Sequence, residues 1–194
     1  MRGPNVFSGY LNDPGQTAKA FDEDGYFRTG DAMVFVDAAD PNMGMRFDGR
    51  ISEEFKLASG TWVRAAKLRL EVLAALGEDV ADVVITGADR GDIGALIVPG
   101  AALRGAQDAH EDAGALVVPG FSGGLVKKLE GLGASGSTRV ARALVLSEPL
   151  SMAEGEVTAK GSINFAKLLV RRAGILERLY DDADAATILL EPRP

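Results

Sequence analysis

Cysteine is absent from this 194-residue chain, which excludes disulfides, a thiolate nucleophile and a thiolate metal site. Histidine is nearly absent. His110 stands alone among Asp108, Glu111 and Asp112, so no multi-histidine metal site can be built, and the segment reads as a solvated acidic surface. Net positive charge is lacking too: 21 Lys and Arg face 28 Asp and Glu, giving −7 and a pI near 4.8. The basic residues are interspersed with acidic ones, which argues against nucleic acid or an anionic membrane as partner. No apolar run approaches the length of a membrane span, and Met1-Arg2-Gly3-Pro4 does not begin a signal peptide. A cytoplasmic location is the expectation. What remains is an ordinary globular balance, 46% hydrophobic and 25% charged, long enough for one core or for one domain plus a piece of another.

Along the chain, residues 1–24 show little period: an extended start, a turn at Asn12-Asp13-Pro14-Gly15, a short helix around Thr17 to Phe21, and the acidic turn Asp22-Glu23-Asp24. Strands are predicted from Ala32 to Asp37 and from Met45 to Phe47, across a loop containing Pro41 and Gly44. Asp37, Asp40, Asn42 and Asp48 lack the ligand spacing of a calcium loop and read as hairpin solvation. From Ala65 the period changes, and Leu68, Val72 and Leu76 mark one face of a helix ending near Gly77. Val80 to Thr86 and Ala95 to Val98 read as paired strands, Ala101 to Gly114 as helical, and Leu125, Leu129 and Leu132 as a further helical stripe. Gly131 to Gly136 is a literal GxGxxG, but it follows a helix and precedes the strand-like Val140 to Leu146. That is the wrong order for a dinucleotide loop. Ile163 to Tyr180 reads as one amphipathic helix.

Two islands carry the chemistry: GYFRTGD, Gly25 to Asp31, and FDGRISEEFKLASGTWV, Phe47 to Val63. Each starts apolar and breaks into glycine and charge, placing Asp31, Arg50 and Lys56 on turns rather than in a core. The first resembles the strand-end motif of the adenylate-forming superfamily of acyl-CoA synthetases, peptide synthetase adenylation domains and luciferases. The second resembles the linker and hairpin that follow it there, and its longer KLASG loop is similar to the acyl-CoA synthetase branch. Making an acyl adenylate brings a carboxylate against the α-phosphate of ATP, so such a site must supply positive charge. The resemblance implies that Asp31 holds the ribose hydroxyls and that Arg50 helps on the ribose or phosphate side.

It also implies an adenylation lysine, Lys160, in the glycine-punctuated segment Ala153 to Asn164. Thr158-Ala159-Lys160-Gly161 departs from the common T-x-S-G-K by two residues, and Lys167, inside the following helix, is the competitor. In this superfamily the small C-terminal domain rotates between the two half-reactions, about a hinge that falls here on Ser52, where an acidic residue or lysine is more usual. Lys56 with Gly60, Thr61 and Trp62 matches the loop facing the pantetheine tunnel during thioester formation. Burial of Trp62 against a sheet is the structural alternative.

RGPNVFSGYLNDP, FKLASGTWV and GEVTAKGSINFAKLLVRRAGILERLYDD together look most like the C-terminal portion of feruloyl-CoA synthase and its aromatic-acid relatives. The superfamily's Ser/Thr/Gly-rich phosphate loop and its aromatic-Gly-x-Thr-Glu motif do not occur. The expectation is therefore a C-terminal portion that is inactive without its N-terminal adenylation domain. The implied cofactors are ATP or AMP and CoA, with magnesium held by ligands outside this chain. The expected fold is α+β: residues 1–50 a β-rich end of the large domain, residues 51–194 a mobile sheet-and-helix domain. Val6, Phe7, Tyr10 and Phe21 are expected to be exposed without that domain, and self-association through residues 1–50 to follow. The alternative is a free-standing module that binds a nucleotide or a partner chain without catalysis.

Overall fold

A computed structural model describes residues 1–129, 132 and 137–190. Helix and strand are mixed, and the chain divides into two compact units, Met1–Ser52 and Glu53–Pro194.

In the first unit Asp13 caps a short helix, α1 (Pro14–Ala20), by accepting from the Gln16 amide at 2.8 Å, with Pro14 in the first turn. Phe7 lies against Tyr10, Phe21 and Phe27 with ring centroids 5.0, 5.7 and 5.1 Å away. Phe7 and Tyr10 are exposed, as expected, while Val6 and Phe21 are half-buried, and the rings of Phe7, Tyr10, Phe21 and Phe27 form one small aromatic cluster. A further exposed apolar surface lies on the ribbon of β1 (Asp31–Phe35) and β2 (Met45–Arg50). Met33 pairs with Phe47 and Phe35 with Met45, so the four share one face, and each is about half exposed.

The second unit opens with a hairpin of β3 (Glu54–Lys56) and β4 (Trp62–Arg64), followed by α2 (Ala65–Leu76). Its main sheet contains β5 (Val80–Thr86) and β6 (Ile93–Pro99), which are antiparallel. A short α3 (Ala101–Arg104), the hairpin of β7 (His110–Asp112) and β8 (Ala115–Val117), and α4 (Pro119–Leu129) then lead to β9 (Val140–Val145). β9 joins β6 in parallel; α5 (Phe165–Arg171), α6 (Ala173–Leu179) and the edge strand β10 (Ile188–Leu189) complete the order β10-β9-β6-β5. Alternation along the strands sorts the core. Val83, Ile85, Ala95, Ile97, Ala143 and Val145 face Leu68, Val72 and Leu76 of α2 and Leu125 and Leu129 of α4. Val84, Leu96, Val98 and Leu144 face Leu168 of α5 and Leu179 of α6.

Three expectations are corrected. The helix predicted over Ala101–Gly114 stops at Arg104, and after a turn the β7–β8 hairpin begins at His110. Ala113 and Gly114 turn it with φ of 45° and 87°, the mirror-image turn that matches strand twist. The predicted helix from Ile163 to Tyr180 is two helices, parted at Arg172 (φ −95°, ψ 22°), whose buried guanidinium turns inward. Asp31, Arg50 and Lys56 end strands rather than lying on turns. Most of the GxGxxG segment lies outside the described residues.

Candidate functional site

The predicted residues group into three places. In the first unit, Asp31 and Arg50 are register partners at the open end of the β1–β2 ribbon. Gly30, at φ 75°, closes the corner by accepting the Ile51 amide, while Thr29 Oγ1 accepts from the Asp31 amide. Arg50 Nη1 stands 2.6 Å from Asp31 Oδ1 and also donates to the Thr29 carbonyl at 3.3 Å. Oδ1 is shut off from solvent and takes part in no hydrogen bond beside its ion pair with Arg50. The carboxylate is thus charge-paired through Oδ1, and the Asp31 side chain stays 28% exposed. It can accept from hydroxyl groups while its charge is compensated.

Ser52 lies in a 3-10 turn, Ile51–Glu53, where one compact unit gives way to the other. The second unit holds both lysines. Lys56 and Trp62 are cross-strand partners on β3 and β4, with the ammonium 4.9 Å from the indole ring centre. Trp62 is 58% exposed and so is not buried against the sheet. Its hairpin is short and tightly tied. Gly60 takes φ 82° and donates to the Leu57 carbonyl, Leu57 donates to the Thr61 carbonyl, and Ser59 donates to Thr61 Oγ1 at 2.9 Å. The β5–β6 loop grips it from outside: Ala58 donates to the Arg90 carbonyl and Asp89 to the Lys56 carbonyl, at 2.8 and 2.9 Å. Beside Trp62 opens a cleft of about 400 Å³ lined also by Arg64, Lys67, Ser137 and Thr138.

Lys160 is exposed at the tip of a hairpin, within the segment expected to be a glycine-punctuated turn. Val157 bridges to Ile163, Thr158 donates to the Ser162 carbonyl, and Gly161 turns the chain at φ 79°. Lys167 sits lower, within α5, its Nζ folded against Gly155 so closely that a Cβ there would stand 2.8 Å away. Under this hairpin lies a group that the sequence reading missed. Glu156, fully buried, receives Arg172 on both oxygens (2.7 and 3.1 Å), Arg171 at 2.9 Å and the Ser151 amide at 2.8 Å. Burial alone would raise its pKa. Arg172, the Ser151 amide and Arg171 outweigh that and hold the carboxyl at about 2. The signal was the Arg171-Arg172 doublet on an otherwise apolar helix face, following an acidic turn.

Among the described residues no three or more His, Cys, Asp or Glu are grouped to hold a metal ion, and no helix is long and apolar enough to cross a membrane.

No family model matches the chain. Over 87 residues, 45% of this chain, it is 39% identical to long-chain-fatty-acid–CoA ligase 1 of Cavia porcellus, covering 12% of that protein. Over 193 aligned positions, 93% of this chain, it is 25% identical to the probable acyl-activating enzyme 16, chloroplastic, of Arabidopsis thaliana, covering 26% of it. In fold it is similar to the adenylation domain of a carboxylic acid reductase from Segniliparus rugosus, solved with AMP and a co-purified carboxylic acid. The TM-score is 0.70 at 24% identity, over 92% of this chain and 27% of that one. The last likeness bears on the fold alone. The chain spans between 12% and 26% of the length of these two curated relatives.

Proposed function

We propose that this chain belongs to the adenylate-forming acyl-CoA ligase superfamily, a reading supported by its likeness to acyl-CoA ligases, and that it works as the C-terminal portion of an ATP-dependent carboxylate–CoA ligase acting on a hydroxycinnamate such as ferulate. The observation that carries this reading is the Asp31–Arg50 pair. Two oppositely charged side chains meet at 2.6 Å at a strand end, with one carboxylate oxygen shut in beside the guanidinium and the Asp31 side chain still 28% exposed to a ligand. A ribose diol supplies hydroxyl donors for the carboxylate, and the guanidinium compensates its charge beside a phosphate. Lys160 on its hairpin tip brings an ammonium to the reacting carboxylate and α-phosphate, and this chain's Lys56, Gly60, Thr61 and Trp62 present the loop used when CoA arrives. Exchange of these two faces requires rotation of the second unit about Ser52. Bound ATP and CoA supply the leaving group and the thiol. Magnesium is assigned to ligands in the remaining, larger domain.

That domain is the proposed partner. In its absence, the apolar ribbon face of Met33, Phe35, Met45 and Phe47 is expected to pair with a second copy. The test is complementation. CoA ligation of ferulate is measured with this chain alone, with an N-terminal adenylation domain of an aromatic-acid ligase alone, and with both. Activity only with both supports the reading. Nucleotide binding by this chain, with no activity on complementation, would favour a free-standing binding module. Activity with long-chain fatty acids and not with ferulate would keep the ligase and reject the aromatic substrate.

A further inference from the structure

The hairpin that presents Lys160 is exposed along most of its length, and only its base enters the protein. That base is Glu156. Its carbonyl accepts from the Asn164 amide at 2.8 Å and closes the hairpin, while its carboxylate is fully buried under four donors. Two of the donors come from Arg172 and one from Arg171, at the C-terminal end of α5. Asn164 starts the same helix, its Oδ1 accepting from the Lys167 amide at 3.2 Å. The helix is therefore joined to both ends of the hairpin, by its cap at one strand and by the arginines at the other. Arg172 has further partners in the Pro149 carbonyl and Glu148, which tie in the segment leading to the hairpin. A buried, fully donated carboxylate is costly to assemble and fixes one geometry when complete.

We propose that Glu156, held by Arg172 and Arg171, is the positioning residue for Lys160. It sets the angle at which the hairpin leaves α5 and hence where the ammonium arrives. The inference rests on the reading of Lys160 as the adenylation lysine. Delivery of a charged group to a reacting centre is sensitive to displacements of about 1 Å, so freeing the base should matter even though Glu156 touches no substrate.

The test has two parts. In this chain alone, Glu156→Gln should speed amide hydrogen exchange at Thr158, Gly161 and Ser162 about tenfold, with exchange at Val83, Val84 and Ile85 unchanged. In the complemented ligase the same variant should slow acyl-adenylate formation about tenfold to a hundredfold through kcat, with KM for ATP little altered. Attack of CoA on a supplied acyl adenylate should be spared. Unaltered hairpin exchange, or equal slowing of both half-reactions, overturns the proposal. Should Glu156→Gln fail to fold, Arg171→Gln removes one donor from the partly exposed side and should give the same pattern more weakly; its absence there overturns the proposal equally. Lys160→Ala separates the two levels. If it slows adenylation and the Glu156 variant does not, the positioning role alone falls; if it is silent, the lysine assignment falls and the positioning role with it.

Discussion

Replacing Glu156 by glutamine removes one charge from beneath four donors, and the resulting loss of stability should depend on pH in a defined direction. The carboxyl is held at about 2, against 4.5 for an unstructured glutamate. A pKa lowered on folding stabilises the folded state fully above the unfolded value, and that contribution is lost as pH falls through the folded value. Taken at face value the difference corresponds to about 3 kcal/mol at neutral pH. Arg171 is 35% exposed, and screening through it brings the expectation to about 2 kcal/mol. By about pH 3 more than half should be gone, and at about pH 2 nearly all of it. Urea denaturation of the parent chain and Glu156→Gln at about pH 7, 5, 4 and 3 measures the gap directly, and the other carboxylates cancel in the difference. The gap should be widest at neutral pH and close from about pH 4.5 downward, where a protonated glutamate comes to resemble glutamine. A gap that stays constant across this range would show the loss to be one of shape and not of charge, and would refute the reasoning.

In a complemented ligase, Lys160→Ala should slow adenylate formation about a hundredfold, the scale of one lost transition-state donor, and spare thioester formation. Lys56→Ala should do the reverse; single-turnover assays of each half-reaction check both, and a defect that moves to Lys167→Ala would reassign the lysine. In sedimentation at micromolar concentration the chain alone should associate, and Phe47→Lys should return it to a monomer by charging the centre of the apolar ribbon face. A monomeric parent chain would remove that interface.

How far the fold was legible follows from which signals are local. The Leu68, Val72 and Leu76 stripe marked α2 and its end at Gly77, because a one-sided helix must repeat near every fourth residue. The apolar run of β6 stood out because a strand in the middle of a sheet, covered on both faces, is apolar throughout. Ala101–Gly114 misled because alanine and charge favour helix locally. The Ala113-Gly114 turn and pairing with β8 outweigh that preference, a choice made by contacts and not by propensity. α4 shows the converse. It is helical despite Gly120, Gly123 and Gly124, since Leu125 and Leu129 are buried beside α2.

For the candidate site, the sequence by itself determined the residue types and their order: an aspartate after Gly30, an arginine before the linker, a lysine ahead of Gly60 and another beside Gly161. These are short-range features, readable because turn chemistry is carried by the residues in the turn. Only the tertiary structure decided that Asp31 and Arg50 meet across a register pair, and that Lys56 lies over Trp62 with its hairpin gripped by the β5–β6 loop. It alone placed Glu156 under Arg171 and Arg172. Fifteen and sixteen residues separate these partners in the chain, and a surface glutamate looks the same in sequence as a buried one. The difference is desolvation, which depends on what packs around the carboxylate and is settled only when the hairpin closes against α5.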